Sequence, residues 1–550
     1  MATLSRMPDE RFPRFNRLWT VVALVTVLGL VVGIRIRLLD VPLERDEGEY
    51  AYVGQLMLEG VSPYEHVYTM KWPGTHGAYA VIMAVFGQTA AGIHMGLTVI
   101  TLATALMVFV LARRLAGDFA GVIAAGSYAL FSISPSTLGL AAHATHFVVL
   151  PALAGILLLQ NLDERISALR VFIAGLLLGL AALMKQSGAA FGLFAACWVV
   201  WVEIRRPEKH WRRLLLRLGC LALGGLMPLI ATCAVLAAFG VFDRFWLWTF
   251  HYARAYASIM TLKEGMQLFF QVSEDVFKSA PALWCLSLAG LLLLFCERAM
   301  RPWLVFVLGF AGFSFLAICP GLYFRAHYFL LLLPTAALLA GVAASAGLAL
   351  LARSKFRLNP ALLVVLLFCG AGLQMLLKSR DIFFTLSPTR VCMAIHDVNP
   401  FPESVEIGSY LASHCPPDGR IAVIGSEPQI YFYSRRQSAT GYIYMYPLME
   451  PQPYAEAMQK EMMQEIERTG PDYLVYVNVP FSWLKRPESR LSIFDWFARY
   501  QRDHLQLVGL IDILPGDETK YRWSSSDTHL EPESDHWLAV YQNKNPTASK

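Results

Sequence analysis

Apolar residues in this chain come in long unbroken runs, without the alternation of half-buried strands or the 3.6-residue stripe of a soluble amphipathic helix. The runs fall near residues 19–34, 93–112, 119–133, 147–160, 171–184, 189–202, 214–239, 282–295, 303–318, 328–351 and 361–377. Most approach the ~20 residues needed to cross the hydrocarbon of a bilayer, and flanking residues or tilt extend the shorter ones. The pattern predicts a polytopic α-helical membrane protein with about 11 transmembrane helices. A further apolar stretch, residues 77–87, is half a span long and is read as an interfacial or re-entrant helix.

Near Lys378 the pattern changes. An amphipathic helix over 404–413, a turn at Pro416-Pro417-Asp418-Gly419 and an apolar strand over 420–425 are followed by a helix over 454–469 and a second strand over 473–477. Helices alternating with apolar strands predict a C-terminal α/β domain. The polar region after Pro515 reads as loop-rich. Three domains result: a tail over 1–18, a transmembrane domain over 19–378 with an external loop over 35–92, and a soluble domain over 379–550.

Lys and Arg in short loops set the orientation. They cluster at Arg6, Arg11, Arg14 and Arg17, at Arg113-Arg114, at Arg165 and Arg170, at Arg205-Arg206 through Arg212-Arg213, at Arg298 and Arg301, and at Arg353, Lys355 and Arg357. With residues 77–87 not spanning, every second connection is basic and therefore cytoplasmic. The loop over 35–92, the loop around His143, the loop over 240–280 and the C-terminal domain are then extracytoplasmic, at the cytoplasmic (inner) membrane. The first apolar run is followed by charges and not by a small-residue cleavage site, so it reads as a retained anchor.

Composition agrees: of 550 residues, 56% are hydrophobic and 16% charged, too apolar for an ordinary soluble domain. The net charge of +5 follows from the basic cytoplasmic loops and does not argue for nucleic acid. Seven of the nine cysteines lie in or beside apolar runs, and no CxxC pair suggests structural zinc. Cys392 and Cys415 are the two in the soluble domain, where an oxidising compartment would join them as a disulfide. No glycine-rich phosphate loop or nucleotide fingerprint appears.

The candidate chemistry lies just after the first run. Carboxylates at a membrane edge are costly to bury and mark function, and Asp46-Glu47 opens the stretch Asp46-Glu47-Gly48-Glu49-Tyr50-Ala51-Tyr52, with Gly54-Gln55 and Glu59-Gly60 beyond it. Pro63-Tyr64 and Lys71-Trp72-Pro73-Gly74 follow, and later Tyr323-Phe324-Arg325-Ala326-His327-Tyr328 leads to Leu333-Pro334. In this order the motifs resemble membrane glycosyltransferases of the C-type fold, the family-39 group that includes protein O-mannosyltransferases and the aminoarabinose transferases acting on lipid A. The resemblance covers roughly residues 35–351. It implies transfer of a sugar from a polyprenyl-phosphate carrier to a lipid, glycan or protein acceptor on the outer face.

On that resemblance the family's acidic pair falls on Asp46 and Glu47, and its Lys-Pro-Pro motif on Lys71-Trp72-Pro73, with Trp72 in place of a proline. Asp46 is the candidate base for the acceptor hydroxyl. Glu47 would orient the acceptor or help to bind a divalent metal ion, the one cofactor left open. Lys71, Arg325 and Lys185 are candidate cations for the lipid phosphate, and Tyr50, Tyr64, Tyr323 and His327 are carried along in the motifs as substrate contacts. Where many relatives have an acid in the second external loop, this chain has His143 and His146, which either replace it, hold metal or make interfacial hydrogen bonds. Trp246, Trp248, Tyr252 and Tyr256 line a lipid path or form an aromatic belt. A transporter or flippase is the rival class, but the charges gather at span ends and no internal repeat is evident. A sensor would leave the carboxylate loop unexplained.

Overall fold

The computed structural model describes residues 16–162, 166–353, 359–516, 518–524 and 530–545. Arg6, Arg11, Arg14, Arg165, Lys355 and Arg357, on which part of the expected orientation rests, lie outside the described residues. Internal contacts divide the chain into two discontinuous units: Met1–Leu38, His94–Ala234 and Met260–Thr385 form the first, and Leu39–Ile93, Val235–Ile259 and Leu386–Lys550 the second.

The first unit is helical and apolar. All eleven apolar runs are helical to within a residue or two, beginning with α1 (Arg17–Arg37). The runs at 93–112 and 119–133 share the helix Ala90–Phe131, which breaks at Ala116 and Gly117, where the glycine takes φ 86°. Among the described residues, seven helices can cross a membrane by length and composition, or eight if Leu262–Ser279 and Pro281–Cys296, bent by 106°, count as one span; Ala144–Leu159 and Ala168–Met184 are shorter apolar helices. The chain is a membrane protein with several apolar spans. Of those seven, the most enclosed is Ala326–Arg353, 94% buried over its most apolar stretch. Small residues let helices touch it closely: a Cβ on Gly290 would lie 1.9 Å from the Leu339 carbonyl oxygen, the close approach expected where lipid offers no hydrophobic driving force.

The second unit carries a six-stranded sheet of β1 (Arg420–Ile424), β2 (Gln437–Ser438), β3 (Tyr473–Asn478), β4 (Leu505–Leu514), β5 (Glu518–Trp523) and β6 (Trp537–Asn543), in the order β2-β1-β3-β6-β4-β5. The half containing β2, β1 and β3 is parallel, and β6, β4 and β5 add to it antiparallel. The two strands expected from the sequence are β1 and β3, buried at almost every position. Within the loop-rich region after Pro515 the chain also forms β5 and β6. The edge strand β5 shows no buried position, so it lacks the apolar signature of a central strand.

Two helices from the loop before the second apolar run complete this unit: α2 (Arg45–Leu58) and α3 (Pro73–Phe86). α2 packs on the helix Gln429–Ser434 through Gly48, where a Cβ would sit 2.6 Å from the Gln429 backbone nitrogen. Arg45, buried, donates to Glu427 at 2.8 Å, to the Ser426 carbonyl at 2.5 Å and to Asn399 at 3.1 Å. The Tyr52 hydroxyl accepts from the Ser438 backbone N–H at 2.8 Å. The expected disulfide does not form: Cys392 and Cys415 are both free and buried. Cys392 lies against the Pro42 carbonyl and within electrostatic range of Glu403 in the first turn of the helix Phe401–His414, whereas Cys415 caps the far end of that helix. Fourteen helical residues separate the ends by about 20 Å, far beyond disulfide reach.

Candidate active site

The start of α2 is set by a capping box. The Glu44 carboxylate accepts from the Glu47 N–H at 2.9 Å, and the Glu47 carboxylate accepts from the Glu44 N–H at 3.2 Å. These bonds satisfy two of the donors left unpaired at a helix start. Glu47 is almost fully buried. One of its carboxylate oxygens is turned back onto the backbone of the helix start.

One turn of helix brings Asp46 and Glu49 to the same face, and Lys71 reaches both. Its ammonium lies 2.6 Å from Asp46 Oδ1 and 2.7 Å from Glu49 Oε2, in the position a cation would take between two carboxylates. It also sits over the rings of Tyr50, 4.6 Å from the centroid, and Tyr444, 5.1 Å away. Tyr444 donates to Asp46 Oδ1 at 3.1 Å. Glu49 accepts from the Thr69 hydroxyl at 2.5 Å, and Thr69 Oγ1 accepts from the Lys71 N–H at 3.1 Å. Asp46 keeps 18% of its side chain exposed against 2% for Glu49. Asp46 is thus the more open of the two carboxylates that contact Lys71.

The loop that delivers Lys71 is held by unusual backbone. Tyr64 takes φ 70°, a left-handed conformation strained for a bulky residue, and its hydroxyl donates to the Lys71 carbonyl at 2.7 Å. Trp72, standing where the family has proline, adopts φ −76° and ψ 149°. The φ is the one proline would impose and the extended ψ is the one favoured before Pro73, so the loop keeps its course and leads into α3 with Pro73 in its first turn.

Burial works against the Lys71 ammonium, but the charges of Asp46 and Glu49 outweigh it and hold its pKa well above the ordinary lysine value. Burial would likewise raise Glu49, yet Lys71 and then His76 bring it below the ordinary range. Burial lowers His76, with Glu49 pulling it upward. His76 Nε2 is 3.9 Å from Glu49 Oε1, too long for a hydrogen bond, and neither ring nitrogen has a hydrogen-bond partner among the described residues.

The first unit gathers a second set of the expected residues. The rings of His143 and His327 stack with centroids 4.1 Å apart, His327 meets Tyr328 edge-on at 4.9 Å, and the Lys185 ammonium lies 3.7 Å from the Tyr328 centroid. Arg325 is exposed, 5.7 Å from the Tyr323 ring. His146 is buried one turn beyond His143. Arg35 fixes the approach to His143 by donating to the carbonyls of Ser132 at 2.8 Å and Gly139 at 3.0 Å. The expected lipid-path residues fall otherwise: Trp248 and Tyr252 are buried in the core of the second unit with Tyr68 and Tyr442, while Trp246 is exposed.

Glu49, Thr69, His76 and Tyr444 were not expected from the sequence. Glu49 had a signal, three residues after Asp46 on a helix. Tyr444, almost four hundred residues away, had none.

Several apolar spans joined to a small sheet domain, with a lysine-bridged carboxylate pair between the first two apolar runs, define a membrane protein of the C-type glycosyltransferase fold. The comparisons with known proteins bear out the resemblance read from the motifs. Residues 73–231 match the family described as dolichyl-phosphate-mannose-protein mannosyltransferase. The fold is similar to that of ArnT from Cupriavidus metallidurans bound to undecaprenyl phosphate, with TM-score 0.57 and 17% identity over 98% of this chain and 100% of that one. It is also similar to that of the archaeal oligosaccharyltransferase AglB from Archaeoglobus fulgidus in complex with an inhibitory peptide and a dolichol-phosphate, with TM-score 0.52 and 13% identity over 93% of this chain and 75% of that one. No curated protein matches the sequence. At such identities the structural likeness carries the fold.

Proposed function

We propose that this protein transfers a sugar from a polyprenyl-phosphate carrier to an acceptor hydroxyl at the outer face of the cytoplasmic membrane, with Asp46 as general base. The observation that carries the reading is the partly open Asp46 carboxylate, held by Lys71 at 2.6 Å and by the Tyr444 hydroxyl at 3.1 Å, in a chain whose fold is that of this enzyme class. The acceptor's proton passes to Asp46 as its oxygen bonds to the anomeric carbon. The bond from that carbon to the carrier phosphate breaks, its electron pair stays on the phosphate oxygen, and polyprenyl phosphate leaves.

Lys71 is the cation we assign to the departing phosphate, which gains charge as the bond breaks. In the first unit, Arg325 and Lys185 are cations suited to the same class of ligand, a lipid phosphate at a membrane edge. His143, His146, His327, Tyr323, Tyr50 and Tyr64 are proposed as substrate contacts or their supports. In this reading residues 1–18 face the cytoplasm, the loop over 35–92 and residues 379–550 face outward, and the acceptor is a lipid, glycan or protein hydroxyl. Detergent-purified protein given polyprenyl-phosphate mannose or polyprenyl-phosphate aminoarabinose with an envelope extract tests it: labelled sugar moves into the extract in one of the two reactions. Absence of transfer from both donors contradicts it.

A further inference from the structure

The carboxylate cluster is built around a residue that the motif-based reading left without a role. Glu49 has both oxygens engaged, one with the Lys71 ammonium and one with the Thr69 hydroxyl, and Thr69 in turn accepts from the Lys71 backbone. The result is a closed ring of contacts around Lys71. Glu44 and Glu47 are tied to each other's backbone in the capping box. Glu49 and Asp46 are thus the two carboxylates in contact with the lysine.

A Lys71–Asp46 pair alone would be neutral and mutually satisfied, and a carboxylate so paired is a poor base. Adding Glu49 gives the trio one net negative charge. Both carboxylate oxygens lie within 2.7 Å of the same nitrogen. The second negative charge therefore favours protonation of Asp46 and shares the lysine away from it. His76, with no hydrogen-bond partner among the described residues, is enclosed beside Glu49 at 3.9 Å.

We propose that Glu49 is a positioning residue for transfer: a buried counter-charge that shares the Lys71 ammonium with Asp46, so that the base keeps its affinity for the acceptor's proton. The proposal rests on the reading of Asp46 as the base. It predicts a split that a merely structural role does not give. In Glu49→Gln, Lys71 falls wholly to Asp46 and kcat drops roughly tenfold to a hundredfold, while polyprenyl phosphate binds as tightly as before or several-fold tighter, because a negative charge beside Lys71 is gone. Glu49→Asp, which keeps the charge at shorter reach, recovers part of the lost kcat.

The test measures kcat and KM for the carrier-linked sugar, and separately titrates polyprenyl phosphate itself, for the purified wild type, Glu49→Gln, Glu49→Asp and Lys71→Ala. A kcat within twofold of the wild type in Glu49→Gln overturns the proposal, as does weaker polyprenyl phosphate binding in that variant. If Glu49→Gln does not fold, Glu49→Asp is expected to show a smaller loss of kcat with binding kept, and an unchanged kcat there overturns it equally. A wild type that transfers no sugar defeats the proposed function. The affinity order then still judges Glu49's electrostatic role: Glu49→Gln at or above wild type and Lys71→Ala below supports it, and any other order sinks it.

Discussion

Replacing Asp46 by asparagine preserves the side chain's shape and removes its capacity to take a proton. A positioned carboxylate acting as general base typically contributes ~10²–10⁴-fold to rate, equivalent to about 3–5 kcal/mol of barrier. Turnover of Asp46→Asn should fall by that factor. The structure indicates that stability will change little. The Lys71 ammonium loses one partner at 2.6 Å but keeps Glu49 at 2.7 Å, so no charge is left unpaired. Both Asp46 and Lys71 retain nearly a fifth of their side-chain exposure, which screens the pair, so its loss together with the lost charge at the start of α2 costs about 1 kcal/mol. That is a few degrees in Tm at most. Because Lys71 remains, polyprenyl phosphate should bind at least as tightly as in the wild type. The assay compares initial rates of sugar transfer by wild-type and variant protein at matched folded concentration, with melting curves alongside. A folded Asp46→Asn protein that turns over within tenfold of the wild type refutes the assignment of the base.

Lys71→Ala removes the bridging cation and leaves Glu49, 2% exposed, with an uncompensated charge; a loss of about 3–5 kcal/mol in stability is expected, with polyprenyl phosphate binding weakened roughly tenfold or more, both read by thermal melting and ligand titration. Gly48→Ala forces a methyl group to 2.6 Å from the Gln429 backbone nitrogen and should cost about 1–3 kcal/mol through displacement of α2, seen as a lower Tm; an unchanged Tm would show that the contact is slack. His76 has a pKa pushed by burial below its ordinary 6.5, so the unfolded chain takes up the proton first. Its contribution is fully present above the unfolded value and is lost as pH falls toward and through the folded one, and His76→Phe should flatten the decline of Tm between about pH 7 and pH 5. In a background lacking the nine native cysteines, Glu488→Cys should react with an impermeant thiol reagent from outside while Lys209→Cys reacts only after permeabilisation; the reverse pattern would invert the proposed topology.

The transmembrane helices were legible because a bilayer imposes one rule on every span, a long apolar run whose backbone is satisfied within the segment. The same rule explains the boundary near Lys378, where the runs stop. It does not reveal which helices lie inside, and the enclosure of Ala326–Arg353 follows from packing. In the soluble part β1 and β3 announced themselves as apolar strands, whereas β5 is an edge strand with no buried position, and its alternation of charged residues with Thr519, Tyr521 and Trp523 runs for only six residues. The Cys392–Cys415 pairing rested on compartment and count, and a helix placed between the two residues was enough to defeat it.

At the site, Asp46 and Lys71 were readable as a motif, and the structure brings them together. On a helix successive residues point about 100° apart, so the residue that shares Asp46's face is Glu49, while the neighbouring Glu47 carboxylate turns to the helix start. The Glu44-to-Glu47 spacing was itself a helix-start signal. Tyr444 was invisible, since its place beside Asp46 depends on how the chain returns through the second unit.

The measurement that bears most directly on the account is whether the sugar–phosphate bond is broken. Protein reconstituted in sealed liposomes with polyprenyl phosphate carrying a labelled sugar, in the presence of an envelope extract, should release free polyprenyl phosphate in step with transfer of label to the extract, and Asp46→Asn should do neither at a comparable rate. Movement of intact carrier-linked sugar across the bilayer, with no polyprenyl phosphate released, would contradict a transferase and favour a transporter.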